Sequence, residues 1–270
     1  MDRAPILFVR TGALGDFCLT APVLAAAYAT GRRVEVMCEP RFAPIVDHVA
    51  GTVPNAVRGR LWDGAGTESL WLYGGSGSAP PFGLGVAFSA SHREALVALG
   101  IPEIRAVASR PPAGVRAADH FRSAWPGCGA PELQPDRARS ATIVIAPGSA
   151  GIEKVWPLAR WREVDEGFRA LGFHVRWLGG PLEPWATDRP ALPELMAIAA
   201  DCHAWLGADS GTSHLAALMG ARVGVVARPE SPPWVPDGAM AFDWEVDPNV
   251  IVAAFRARRL PGAGSTPSRP

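Results

Sequence analysis

The chain has 270 residues, 48% of them hydrophobic, and its 26 basic residues balance 26 acidic ones. That is enough apolar material for one large or two medium domains with real cores. The zero formal charge excludes a global field that would draw nucleic acid or an anionic membrane, and no apolar run reaches membrane-spanning length. Four cysteines, Cys18, Cys38, Cys128 and Cys202, form no C-x-x-C pair. They read as reduced thiols of a cytosolic protein, without a disulfide frame or zinc site. Ile6 to Val9 is too short for a signal peptide and Gly12 interrupts it. Lys154 is the single lysine among many arginines.

In chain order, Pro5 to Arg10 is a continuous apolar run that predicts a buried parallel strand. Thr11-Gly12-Ala13-Leu14-Gly15-Asp16 is the turn after it, and Leu19, Val23, Leu24 and Ala27 mark a helix that Gly31 stops. Val34 to Cys38 predicts a second strand and Pro40 to Val49 a second helix, a β-α-β-α opening that calls for a parallel sheet. Residues 64–85 are rich in Gly, Ser and Pro, with Leu70 to Tyr73 as a short strand. Gly85 to Phe88 predicts a strand, His92 to Leu99 a helix, Ile104 to Val107 a strand and Ala117 to Trp125 a helix. Residues 127–139 carry the composition of an interdomain linker.

A second alternation starts with the strand Ala141 to Ala146 and the loop Pro147 to Gly151. Trp161, Val164, Phe168 and Leu171 follow at helical spacing, closed by Gly172. Phe173 to Leu178 predicts a strand and Leu192 to Ala200 a helix. Ala204 to Gly207 leads into Asp209-Ser210-Gly211-Thr212-Ser213-His214, a tight turn and helix start that Gly220 ends before the strand at Val223. Asp247 to Arg259 is the last helix. The expected division is 1–135 and 141–259, two α/β domains, with a disordered Gly/Pro/Ser/Thr-rich tail over 260–270.

Neither half carries a G-x-G-x-x-G fingerprint or a Walker loop after its first strand. Four stretches nevertheless have the composition of ligand-binding turns at strand carboxyl ends, where open α/β sheets place ligands. The first is Gly12 to Asp16, where Asp16 alone also reads as a helix cap. The second is Pro147-Gly148-Ser149 with Lys154, a Gly/Ser loop and a compact cation suited to phosphate, or else an exposed loop with a solvated lysine. The third is Glu183, a carboxylate able to accept from a ribose hydroxyl pair, or a surface glutamate. The fourth is Asp209 to His214, whose helix start exposes N–H groups to a phosphate. In that turn Asp209, Ser210, Thr212 and Ser213 are the residue types that cap helices. His214 is placed either to donate to a phosphate oxygen or as a buried core histidine.

Taken together, the chain resembles glycosyltransferase family nine, the heptosyltransferases of lipopolysaccharide core assembly. The resemblance is carried by Arg10 to Asp16 with Thr20-Ala21-Pro22-Val23-Leu24, by Glu39 to Pro44, by Pro147-Gly148-Ser149 with Lys154 to Leu158, and by Asp209 to Ala217. It implies a GT-B fold, two Rossmann-like domains facing a central cleft: an N-terminal acceptor-side domain and a C-terminal nucleotide-sugar-binding domain. It also implies inverting transfer of a heptose from an ADP-sugar donor to a glycan or lipid-linked glycan acceptor, with no metal and no cofactor. Asp16 resembles the family's general base, and Thr11, Gly12, Ala13 and Gly15 form the acceptor-side loop. Ser149, Lys154, Glu183, Asp209, Ser210, Gly211, Thr212, Ser213 and His214 match its nucleotide-sugar positions. The implied setting is cytoplasmic, with at most peripheral contact with the inner face of the inner membrane and no nucleic-acid partner.

The sequence departs from the family where the strand at Val223 ends. The usual Gly-Pro-Thr-type loop is replaced by Arg228-Pro229-Glu230-Ser231-Pro232, which bears on the sugar accepted. Three rival readings stand beside the main one. They are a non-catalytic scaffold of the same fold, a natural-product glycosyltransferase with another donor, and a GT-B nucleotide-sugar epimerase. The epimerase would want further histidines and carboxylates in the cleft, and His92, His120 and His174 lie at no obvious strand-end turn.

Overall fold

The computed structural model describes residues 4–64, 82–129, 140–149, 155–180, 183, 186, 188–228 and 234–256. The chain divides into two compact units, Met1–Glu132 with Pro233–Asp237, and Leu133–Pro232 with Gly238–Pro270.

In unit 1 the buried apolar run becomes β1 (Ile6–Val9), followed by α1 (Leu14–Tyr28), β2 (Arg33–Cys38), a 3₁₀ turn at Pro40–Phe42 and α2 (Ala43–Thr52). β3 (Val57–Asp63), β4 (Leu84–Ala87), α3 (Ala90–Ala98), β5 (Ile104–Ala106) and α4 (Ala117–Arg122) complete it. All neighbouring strands pair in parallel, in the order β3-β2-β1-β4-β5. β1 lies at the centre with every residue buried, as a strand covered by helices on both faces requires.

Unit 2 contains β6 (Thr142–Ala146), α5 (Leu158–Ala170), β7 (His174–Trp177), α6 (Leu192–Asp201), β8 (Ala204–Ala208), α7 (Gly211–Leu218), β9 (Val223–Ala227), β10 (Met240–Asp243) and α8 (Pro248–Arg256). Its parallel sheet runs β10-β9-β8-β6-β7. Trp156, Trp161, Val164 and Phe168 pack with Ile143, Ile145 and Phe255 in the core beneath it. Gly172 and Gly220 follow α5 and α7 at φ +86 and +77, a conformation that only glycine takes without strain.

The segment 234–237 belongs to unit 1 although it follows β9 in the chain. Asp237 takes ion pairs from Arg116 and Arg122, and Trp234 lies 6.5 Å from the Phe121 ring. β3 and β10, each at one edge of its sheet, were not expected from sequence. The strand expected at Leu70 to Tyr73, most of the linker at 127–139 and the tail lie outside the described residues.

Candidate functional site

Strand order locates the crevices. In an order 3-2-1-4-5 the connections reverse between the first and fourth strands, and ligands of open α/β sheets bind outside the carboxyl ends at that point. In unit 1 this is the gap between β1 and β4. In unit 2, counted from β6, the order is 2-1-3-4-5, and the reversal falls between β6 and β8.

At the unit 1 reversal β1 runs into Arg10, the turn Thr11-Gly12-Ala13 and α1. Gly12 has φ +115, and Thr11 packs so close to Gly64 that a Cβ there would come within 2.6 Å of its methyl carbon. The N-cap of α1 is Ala13, with no side-chain cap bond, and Gly15 is buried. Asp16 is therefore not the cap that its position suggests. It stands in the first helical turn, 35% exposed, with Oδ1 3.3 Å from Arg10 Nη2. The positive end of the helix dipole favours a carboxylate there.

Arg10 opens the first motif, although the sequence alone assigns it no role. It is 5% exposed, and its Nη1 donates to the Phe88 carbonyl at 3.2 Å. Its guanidinium carbon lies 5.0 Å from the Phe121 ring and 5.8 Å from that of Phe88. Burial lowers its pKa and the Asp16 carboxylate opposes that shift; an arginine so far above neutral pH remains charged. His92 also belongs here, contrary to the sequence reading. Its backbone N–H donates to Oγ of Ser89, the N-cap of α3 at the carboxyl end of β4. Burial first, then the Arg10 charge, pushes its pKa below the usual histidine value, so it is neutral at neutral pH.

At the unit 2 reversal the candidates from three strand ends converge. Ser149, after β6, donates from Oγ to the Asp209 carbonyl, after β8, at 3.1 Å. Glu183, beyond β7, accepts the Gly180 N–H with Oε2. Its carboxylate also lies over Gly148: a Cβ on Gly148 would come within 2.7 Å of Glu183 Cδ, and closer still to Oε1. Arg189 donates to the Glu183 carbonyl at 3.1 Å. A Cβ on Gly207 would sit 2.5 Å from the Ala146 carbonyl and 3.2 Å from Ser213 Oγ, so glycine there lets β8 pass close to β6.

Ser210 is the N-cap of α7 but makes no side-chain cap bond. Its hydroxyl meets Thr212 Oγ1 at 3.0 Å and Ser213 Oγ at 3.4 Å, and Ser213 donates instead to the Ala208 carbonyl at 2.8 Å. The expected side-chain capping is thus absent, because these hydroxyls serve one another and the strand end. Ser213 and His214 N–H groups turn back to the Ser210 carbonyl. Among the described residues the Gly211 and Thr212 N–H groups take no such bond, and they point along the helix start as anion donors do. His214 is buried, with Nε2 3.7 Å from Asp209 Oδ1. Lys154 lies outside the described residues, as does 229–233 of the loop after β9. Arg228, at its start, holds its guanidinium 4.7 Å from the Trp244 ring.

Among the described residues no group of three or more His, Cys, Asp or Glu is placed to hold a metal ion. No helix among them is long and apolar enough to cross a membrane.

Two parallel five-stranded sheets, each with its reversal point and flanking helices, define the GT-B class of α/β proteins. Solved structures of that class superpose on nearly the whole chain. The glycosyl transferase family 9 protein from Veillonella parvula DSM 2008 aligns with TM-score 0.65 at 17% identity, over 90% of this chain and 86% of that one. The E. coli heptosyltransferase WaaC with ADP aligns with TM-score 0.63 at 16% identity, over 93% and 99%. E. coli ADP-heptose lps heptosyltransferase II aligns with TM-score 0.65 at 16% identity, over 94% and 98%. No family's sequence profile matches the chain, and no curated protein matches it. The likeness is one of fold, and it agrees with the family that the motifs resemble.

Proposed function

We propose that the protein is an inverting, metal-independent glycosyltransferase that moves a heptose or related sugar from an ADP-sugar to a hydroxyl of a glycan or lipid-linked glycan. The observation that carries this reading is the unit 2 reversal point. There Gly148, Ser149, Glu183 and Asp209 meet beside the α7 start, the position at which this class of sheet holds a ligand. Two relatives in fold are described with ADP or as ADP-heptose enzymes, which supports adenine as the base.

In this proposal Glu183 accepts from the ribose hydroxyls, and the diphosphate lies on the Gly211 and Thr212 N–H groups with Lys154 as counter-charge. Asp209, backed by His214, accepts from the sugar. Asp16 takes the proton of the acceptor hydroxyl as its oxygen bonds to the anomeric carbon. The bond from that carbon to the diphosphate oxygen breaks, and its electron pair leaves with ADP. The charge gained by ADP is met by preorganised N–H dipoles and the lysine.

Thermal melting with ADP, UDP and NAD tests the donor class. Ligand at 100 times its Kd adds about 2.7 kcal/mol, a shift of several degrees for a unit of this size. The largest shift is expected from ADP. A shift from UDP alone would replace the adenine donor with a uridine one, and no shift from any nucleotide would favour a scaffold over an enzyme.

A further inference from the structure

We propose that Arg10 is the positioning residue of the transfer, fixing the Asp16 carboxylate in the orientation from which it takes the acceptor's proton. The inference rests on the reading of Asp16 as the base, and it names the device that makes a half-exposed carboxylate a directed one.

The guanidinium is held on three sides. Nη1 is tied to the Phe88 carbonyl at 3.2 Å, and the ring faces of Phe121 and Phe88 lie 5.0 and 5.8 Å from its carbon. Phe88 and Phe121 are both fully buried. Phe121 is itself backed by Trp234, and its helix is fastened through Arg116 and Arg122 to Asp237. The remaining terminal nitrogen, Nη2, faces Asp16 Oδ1 at 3.3 Å. The other oxygen, Oδ2, turns to the open Gly12 turn, where a Cβ would lie 3.5 Å from it. One oxygen is therefore committed to the buried cation and the second is presented outward.

A cation buried to this degree is a poor stabiliser, since packed apolar side chains serve a core as well or better. Arg10 also leaves Nε without a partner among the described residues. Packing alone does not account for such a residue, whereas orientation of Asp16 does. Lysine would supply the charge, but as a single point it could not hold Phe88 and Asp16 together while lying flat on Phe121.

The test compares wild type, Arg10→Met, Arg10→Lys, Asp16→Asn and the Arg10→Met/Asp16→Asn pair in the full chain. All are assayed on the same sugar nucleotide and acceptor, fixed by wild-type turnover, with ADP affinity measured separately. Misplacing a reacting group by about 1 Å costs roughly 10²-fold. Arg10→Met is expected to lower kcat by about that factor, with KM for the donor and Kd for ADP within about twofold of wild type. Arg10→Lys should recover about tenfold of the loss, and Arg10→Met should add nothing to Asp16→Asn. Wild-type kcat in a folded Arg10→Met protein overturns the inference. So does a further full loss in the double variant, which would mark a structural role. If Arg10→Met does not fold, Arg10→Lys carries the test: a kcat loss of about tenfold at unchanged ADP affinity supports the inference, and wild-type kcat overturns it. Full activity in Asp16→Asn would instead remove the base itself, a separate failure.

Discussion

Gly148 offers the most direct handle on the donor side, because what a side chain there would strike is the proposed ribose ligand. A methyl at this position would come within 2.7 Å of Glu183 Cδ and 3.3 Å of Cγ. Gly148 is not among the residues with positive φ, so alanine brings no backbone strain. The obstacle is the end of a flexible side chain, so the fold survives and the carboxylate swings away. Its hydrogen bond from the Gly180 N–H is then lost. A hydrogen bond to a charged group contributes about 1.5–3 kcal/mol, and Glu183 is half-exposed, which places it in the lower part of that range. If the same carboxylate binds ribose, Gly148→Ala should weaken ADP binding by about tenfold or somewhat more. The assay is isothermal titration with ADP on wild type, Gly148→Ala, Glu183→Gln and the double variant, with the melting temperature of each unliganded protein as the control for folding. The double variant should bind ADP about as weakly as either single one, since both act on one group. Wild-type ADP affinity in Gly148→Ala would refute the placement of Glu183 in the donor site.

Two further outcomes follow from packing and burial. Gly207→Ala should cost about 1–3 kcal/mol of stability, because its Cβ would press the Ala146 carbonyl at 2.5 Å and backbone cannot swing aside; an unchanged denaturation midpoint would contradict the close approach of β6 and β8. The thiols should be slow: Cys18, Cys38 and Cys202 are buried, and burial, helped by Glu39 and Asp63, pushes Cys38 up to about 12. At pH 8 only about one Cys38 in 10⁴ is then the reactive thiolate. A disulfide reagent should modify half-buried Cys128 first and all four only after unfolding, and Cys38 reacting as fast as Cys128 would show that the end of β2 is open.

How much of this was legible in the sequence follows from burial. β1, β4, β8 and β9 are buried along their whole length, and such strands appear as continuous apolar runs. β3 and β10 are edge strands. β3 carries two arginines in Val57-Arg58-Gly59-Arg60-Leu61-Trp62-Asp63 and buries only Trp62. β10 buries none of its residues, so neither has a pattern to find. The candidate turns were visible because glycine and small polar residues collect at strand ends. Their convergence was not, since Gly148 and Glu183, or Ser149 and Asp209, meet only once the strand order is known. Arg10 did leave a trace, as a charge ending an otherwise apolar buried strand must find a partner. The partners, Asp16 six residues on and the Phe88 carbonyl 78 residues away, come from the fold. His92 was passed over because β4 was expected to end at Phe88 and the helix to begin at His92, which hid the Ser89 cap between them.

Mass spectrometry of reaction products tests the proposed sugar transfer and the role of Asp16 as its base. Wild type and Asp16→Asn are incubated with ADP-heptose, other nucleotide sugars and a panel of hydroxyl acceptors. With the wild type, an acceptor heavier by one sugar residue and an equal amount of free ADP are expected. With Asp16→Asn, equally folded and binding ADP equally well, the rate should fall by about 10²–10⁴. Transfer undiminished in Asp16→Asn, or tight ADP binding with no product from any pair, would contradict it.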